Sequence, residues 1–289
     1  MKNLTIFVLL IAAFESQSQL KYDAGFETGT YSPWAEVNYN LNNPLSNQFQ
    51  IVTSPVRQGT YAAKTTVHDG DEFMNTGGER CDLEIDPSQR EHVGDDLWYA
   101  FSEQFSSDWQ NPGPPPDGDW LVIVDWHASA NYPNVCQVMQ LETDSTGALI
   151  LQLLTGNVEG YDCFTGSGTA HYYSEVVLPS ISPGLWHDFV FHVVWTTSNS
   201  GSVELWHLLE GQQEYTKIAD LHNIPTLQYK TDANNPDVPY FIWAHYRSAL
   251  NTHTSILYKD GCRIALNSDA LIEGDLYNVF GKLFFNGFE

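Results

Sequence analysis

Positive charge is what this 289-residue chain has least of: 12 Lys and Arg stand against 36 Asp and Glu, a net charge of −24. Affinity for nucleic acid comes from clustered cations that displace counterions from phosphate, so that class of partner is excluded. Charged residues of both signs reach only 17%, which leaves few charged faces for solvent-exposed helices. There is no Cys-x-x-Cys pair and no His-rich cluster at zinc spacing, which argues against a structural zinc site. Beyond the N-terminus no apolar run approaches the roughly 20 residues of a membrane helix. What the chain does have is 42% hydrophobic residues, with 9 Trp, 15 Tyr and 15 Phe, enough for a large core and too many for a disordered acidic tail.

The first residues read as an address. Lys2 precedes an apolar run from Leu4 to Phe14, and the small residues Ser16 and Ser18 stand before Gln19, the pattern of a secretory signal. A signal peptide is therefore expected over 1–18, with one mature domain over 19–289 that is secreted or periplasmic, monomeric and without a membrane partner. Export gives the four cysteines a meaning, because disulfides persist outside the cytoplasm. Of the three possible pairings, Cys136 with Cys163 and Cys81 with Cys262 is the one expected.

Runs rich in β-branched and aromatic residues, bounded by Gly, Pro, Asn or Asp, dominate the remainder. They cover 48–53, 61–67, 80–85, 98–105, 120–126, 136–141, 148–154, 187–195, 202–208, 239–247, 256–258 and 263–265. Few segments hold a 3.6-residue apolar period. About a dozen strands without helical crossovers predict antiparallel sheets stacked as a sandwich or jelly roll. The proline-rich stretch Asn111 to Asp119 interrupts this pattern as a loop.

Residues two apart on a strand share a face. Arg80, Asp82 and Glu84 are thus expected on one face, with Cys81, Leu83 and Ile85 turned into the core. The same alternation aligns Asp125 with His127, and Tyr240 with Ile242, Ala244 and Tyr246. Three strands each deliver groups suited to proton transfer or anion binding. Alternating carboxylates at Asp82, Glu84 and Asp86 admit a second reading, a glycoside hydrolase, since retaining enzymes hold two carboxyls about 5–5.5 Å apart. A third is a carbohydrate-binding jelly roll without catalysis, stacking Trp and Tyr on sugar rings.

The motifs Gly25-Phe-Glu-Thr-Gly, Arg80-Cys-Asp-Leu, Trp98-Tyr-Ala-Phe-Ser and Val124-Asp-Trp-His127 run through the chain. Gly184-Leu-Trp-His-Asp-Phe-Val-Phe-His-Val-Val-Trp195, Gly201-Ser-Val-Glu-Leu-Trp206 and Tyr240-Phe-Ile-Trp-Ala-His-Tyr-Arg-Ser248 follow them. With these the chain resembles the polysaccharide lyases of the heparin-lyase and glucuronan-lyase type, relatives of the jelly-roll alginate lyases. The resemblance implies an all-β jelly roll, a concanavalin A-like sandwich of two antiparallel sheets. It also implies β-elimination on an acidic or uronate-containing polysaccharide. Such chemistry needs a neutralised uronate carboxylate, a base for the C5 proton and an acid for the departing O4. On this likeness Arg80, His127 and Tyr246 are the expected catalytic residues, Arg80 holding the carboxylate and either His127 or Tyr246 removing the proton. Asp125, Tyr240, Arg247 and Asp82 are the expected substrate-binding residues, with Arg80 or Arg247 as the cation beside Tyr246. Asp125 stands where the alginate-lyase pattern has Gln. No metal and no cofactor are expected.

Overall fold

In the computed structural model, residues 20–73, 78–129, 137–161, 168 and 170–271 are described. Their strands run, in chain order, β1 (Leu20–Ala24), β2 (Glu36–Tyr39), β3 (Phe49–Val52), β4 (Ala62–Val67), β5 (Gly78–Glu84) and β6 (Asp96–Phe105). Next come β7 (Trp120–His127), β8 (Met139–Asp144), β9 (Leu149–Asn157), β10 (His171–Leu178), β11 (Trp186–Val194) and β12 (Gly201–Leu209). The last are β13 (Thr216–Ile224), β14 (Gln228–Tyr229), β15 (Tyr240–Trp243), β16 (Tyr246–Ser248) and β17 (Ser255–Ala265). One four-residue helix, Leu45–Gln48, and two 3₁₀ turns complete the regular structure of the described residues. No helix among them is long and apolar enough to cross a membrane.

The strands form two sheets. An eight-stranded sheet runs β13-β12-β11-β6-β17-β4-β3, with β1 paired to β17. A nine-stranded sheet runs from β10 through β9, β8 and β7 to β5 and β2, with β15 and β16 sharing the place between β7 and β5. Pairing is antiparallel except for β14 against β9. The chain is an all-β sandwich of the jelly-roll kind. Alternation builds it: every second residue of both sheets turns inward, and Phe101, Phe189, Phe191, Trp126, Phe241 and Trp243 fill the space between them. Of the tryptophans of the 186–206 block, Trp195 serves this packing, while Trp206 is buried on the other face of the eight-stranded sheet, stacked on Trp98 in a smaller cluster with Ala100 and Val190.

The expected cysteine pairing does not hold where it can be seen. Cys81 on β5 and Cys262 on β17 belong to opposite sheets and are both free, buried thiols, and Cys81 Sγ lies 3.3 Å from the Gln48 carbonyl. Both behave as small apolar core residues. Cys136, Cys163 and the expected signal segment 1–18 lie outside the described residues.

Candidate active site

The outer face of the nine-stranded sheet carries a cleft of about 410 Å³, lined by residues from β2, β5, β7, β15 and β16. Period-two alternation delivers them. On β5, Arg80, Asp82 and Glu84 face the cleft while Cys81, Leu83 and Ile85 are wholly buried in the core. On β7, Asp125 and His127 face it and Trp126 does not; along β15, β16 and the two residues between them, Tyr240, Ile242, Ala244 and Tyr246 face it while Phe241, Trp243 and His245 turn inward. Register brings remote parts of the chain together: Tyr246 lies opposite Arg80 on one side and Val122 on the other, Tyr240 opposite His127, and Ile242 opposite Asp125.

Arg80 is the cation of the site. Its guanidinium carbon sits 3.9 Å from the centroid of the Tyr246 ring, close enough for a cation–π contact, and one nitrogen is 3.6 Å from Asp82 Oδ2. The Tyr246 ring also meets Trp120 edge-on at 4.9 Å. Asp82 is held from behind, accepting the His245 backbone N–H at 2.7 Å. Glu84 accepts from the Asn38 side-chain amide at 3.0 Å.

His127 is prepared as a base. Its Nδ1 lies 2.7 Å from the Ala128 carbonyl, which can only accept, so Nδ1 carries the proton and Nε2 keeps its lone pair. The Tyr240 hydroxyl stands 3.4 Å from the same Nδ1. Burial disfavours the imidazolium and lowers the His127 pKa, keeping the ring neutral. The loop that presents Ala128 is pinned by buried Asp237, which accepts from the Ser129 backbone N–H at 2.8 Å and from the Ser129 hydroxyl.

Six of the seven expected site residues line this one cleft: Arg80, Asp82, Asp125, His127, Tyr240 and Tyr246. Arg247 does not. It is fully buried on the opposite side of β16, in a 2.7 Å ion pair with Glu79 and within 2.5 Å of the His253 carbonyl. It therefore neither meets substrate nor supplies the cation beside Tyr246; Arg80 does. The hydrolase triplet is also dispersed, because Asp86 lies beyond the strand and caps a 3₁₀ turn by accepting the Ser88 N–H at 2.8 Å. The sequence reading missed Asn38, Phe73 and Gln137 in the lining. It missed Gly78 as well, where a Cβ would come within 2.2 Å of the Tyr246 ring; the Gly-Gly doublet at 77–78 of the sequence was its signal.

Among the described residues, Glu204, Asp220 and His222 on β12 and β13 could converge on a cation, but they belong to the other sheet. The Lys217 ammonium already bonds Glu204 at 2.6 Å and Asp220 at 3.0 Å, so the charge there is met.

A family model described as polysaccharide lyase matches residues 26–263. No curated protein matches the chain. Among solved structures the chain is similar to an endo-β-1,4-glucuronan lyase from the fungus Trichoderma reesei. The two share 17% identity over 87% of this chain and 98% of that one, with a TM-score of 0.64. It is also similar to an alginate lyase from Klebsiella pneumoniae, at 9% identity over 78% and 86% of the two chains and a TM-score of 0.51. At such identities the likeness establishes a shared fold.

Proposed function

The chain belongs to the polysaccharide lyase family, and from that premise we propose that it cleaves a uronic-acid-containing polysaccharide by β-elimination in the cleft around Arg80, His127 and Tyr246. The mature domain over 19–289 would act outside the cytoplasm, following its signal-like N-terminus. The observation that carries the reading is the convergence of a guanidinium, a neutral imidazole and a phenol, from three strands remote in sequence, on one cleft.

Each group has one task. Arg80 takes the uronate carboxylate, neutralising its charge and so making the C5 proton acidic. His127 Nε2 accepts that proton. The electron pair left at C5 forms the C4–C5 double bond as the C4–O4 bond breaks, and the Tyr246 hydroxyl protonates the departing O4. Tyr240 and the β2 edge at Asn38 flank the sugar.

The test is incubation with glucuronan, alginate and heparin while following the ultraviolet absorbance of the unsaturated uronate end. Absorbance should rise on at least one polymer, and His127→Ala and Tyr246→Phe should each lower kcat by roughly 10²–10⁴-fold. New reducing ends without absorbance would show hydrolysis instead, and binding without either would show a carbohydrate-binding module.

A further inference from the structure

One group on the cleft floor has no task in this scheme. Asp125 is 4% exposed, lines the cleft, and has its Oδ1 buried without a hydrogen-bond partner among the described residues. A carboxylate deprived of water and of donors is unstable in that form. Of the groups around it only the Arg80 charge relieves it, and that is outweighed by burial and by Asp82. From β5 come Arg80, Asp82 and Glu84; from its own strand comes His127, neutral and donating its proton to Ala128; from β15 and β16 come Tyr240 and Tyr246. On the other side, Gln140 of β8 lies opposite Asp125 in register, and its own amide oxygen is buried without a partner, while its NH₂ is given to Glu142 at 2.8 Å.

Two buried carboxyls lining one cleft resist ionising together, and which keeps the proton is set by which holds the donors. Asp82 holds them: the Arg80 guanidinium at 3.6 Å and the His245 N–H at 2.7 Å. Asp125 has neither, and burial together with the Asp82 charge pushes its carboxyl well above the ordinary range. The asymmetry leaves the proton on Asp125.

We propose that Asp125 meets the sugar carboxylate as a carboxylic acid, its O–H donating to one carboxylate oxygen while Arg80 holds the other. The inference rests on the lyase reading and deepens it. It explains how a cleft lined by three acidic side chains accepts an anion: ionised, Asp125 would repel the sugar carboxylate, whereas protonated it can donate to it. No proton is consumed, since the acid is returned unchanged when the product leaves.

The experiment compares kcat/KM against pH for the wild type, Asp125→Asn and Asp125→Ala on the polymer that the wild type cleaves. The wild type should lose activity on the alkaline side, about tenfold per pH unit once Asp125 ionises. Asp125→Asn, whose amide donates at every pH, should lack that fall and exceed the wild type by about tenfold or more at the alkaline end. Asp125→Ala should lie about 10–100-fold below Asp125→Asn on the acidic side, the loss of a hydrogen bond to a charged group. Independently of turnover, infrared difference spectra of the wild type near neutral pH should show the C=O stretch of a protonated carboxyl, absent from Asp125→Asn. A wild type that eliminates but keeps the same alkaline fall in Asp125→Asn overturns this proposal alone, as does absence of the infrared band. A wild type that yields no unsaturated product from any uronate polymer overturns the lyase reading and this proposal with it.

Discussion

His127 shows how a single side chain is tuned by what touches it. The Ala128 carbonyl fixes the tautomer, and burial lowers the pKa from the ordinary 6.5. A base works only unprotonated, so lowering its pKa extends activity toward acid. The acidic limb of kcat/KM should therefore have its midpoint below 6.5, and a midpoint at or above that value would remove His127 from the role of base. Arg80, His127 and Tyr246 turn to one cleft because a strand's alternation is rigid. The same rule, applied one residue further, already turned Arg247 away from the cleft. An arginine next to a cleft tyrosine is chemically attractive, but its Cβ points to the other face.

At the scale of elements, the site depends on an interruption. The run 239–247 reads as one strand, yet it is two, β15 and β16, because the His245 N–H leaves the ladder to bond Asp82 Oδ1 at 2.7 Å. Conversely, the runs 256–258 and 263–265 are one strand, β17, whose register slips between Asp260 and Arg263 around Gly261 at φ +67°. Strands β10 and β13 escaped the sequence reading since each is an edge with mostly half-exposed or exposed residues and no inward alternation to betray it. Close approach of β5 to β16 also makes Gly78 matter. Gly78→Ala would drive a methyl into the Tyr246 ring, now with a Cβ position 2.2 Å from Cε2. It should lower kcat roughly 10²-fold, the effect of an ångström-scale misplacement. Thermal stability should change far less than activity; equal loss of both would mean that Gly78 serves folding instead of positioning.

The whole molecule is tied across its core by a polar contact. Glu103 on β6 accepts from Lys259 on β17 at 3.1 Å and from Trp243 Nε1 on β15 at 2.7 Å, and Lys259 also bonds the Ala244 carbonyl at 2.8 Å. One sheet thus grips the other just before the β15–β16 break. Other buried ionisable groups set the pH dependence of stability. Burial raises Glu91 to about 8 and Glu142 and Asp260 to about 7, so the folded state binds protons that the unfolded chain has released. These groups withdraw stability as pH rises from their unfolded values through those folded ones. Buried His187 and His207, lowered to about 4 and about 3, act oppositely, but only below their unfolded value of 6.5. Above that pH the carboxyls act alone, and Tm should fall by roughly 5–10 °C between about pH 6.5 and about pH 8.5. Glu91→Gln should flatten this fall; a Tm that rises over the same interval would reverse the sign of the argument.

The sequence by itself determined the sandwich and which residues of one strand share a face, because side-chain alternation along a strand is a local geometric property that composition and spacing reveal. The polysaccharide lyase family was legible for the same reason, in strand motifs that carry both core and cleft residues. Only the tertiary structure decided which charges meet. Arg80 against Tyr246, Asp125 beside Asp82 without a donor, Arg247 consumed by Glu79 and two cysteines left apart in opposite sheets are all consequences of register between strands distant in the chain. Electrostatics depends on distance and burial, and neither is written in residue order.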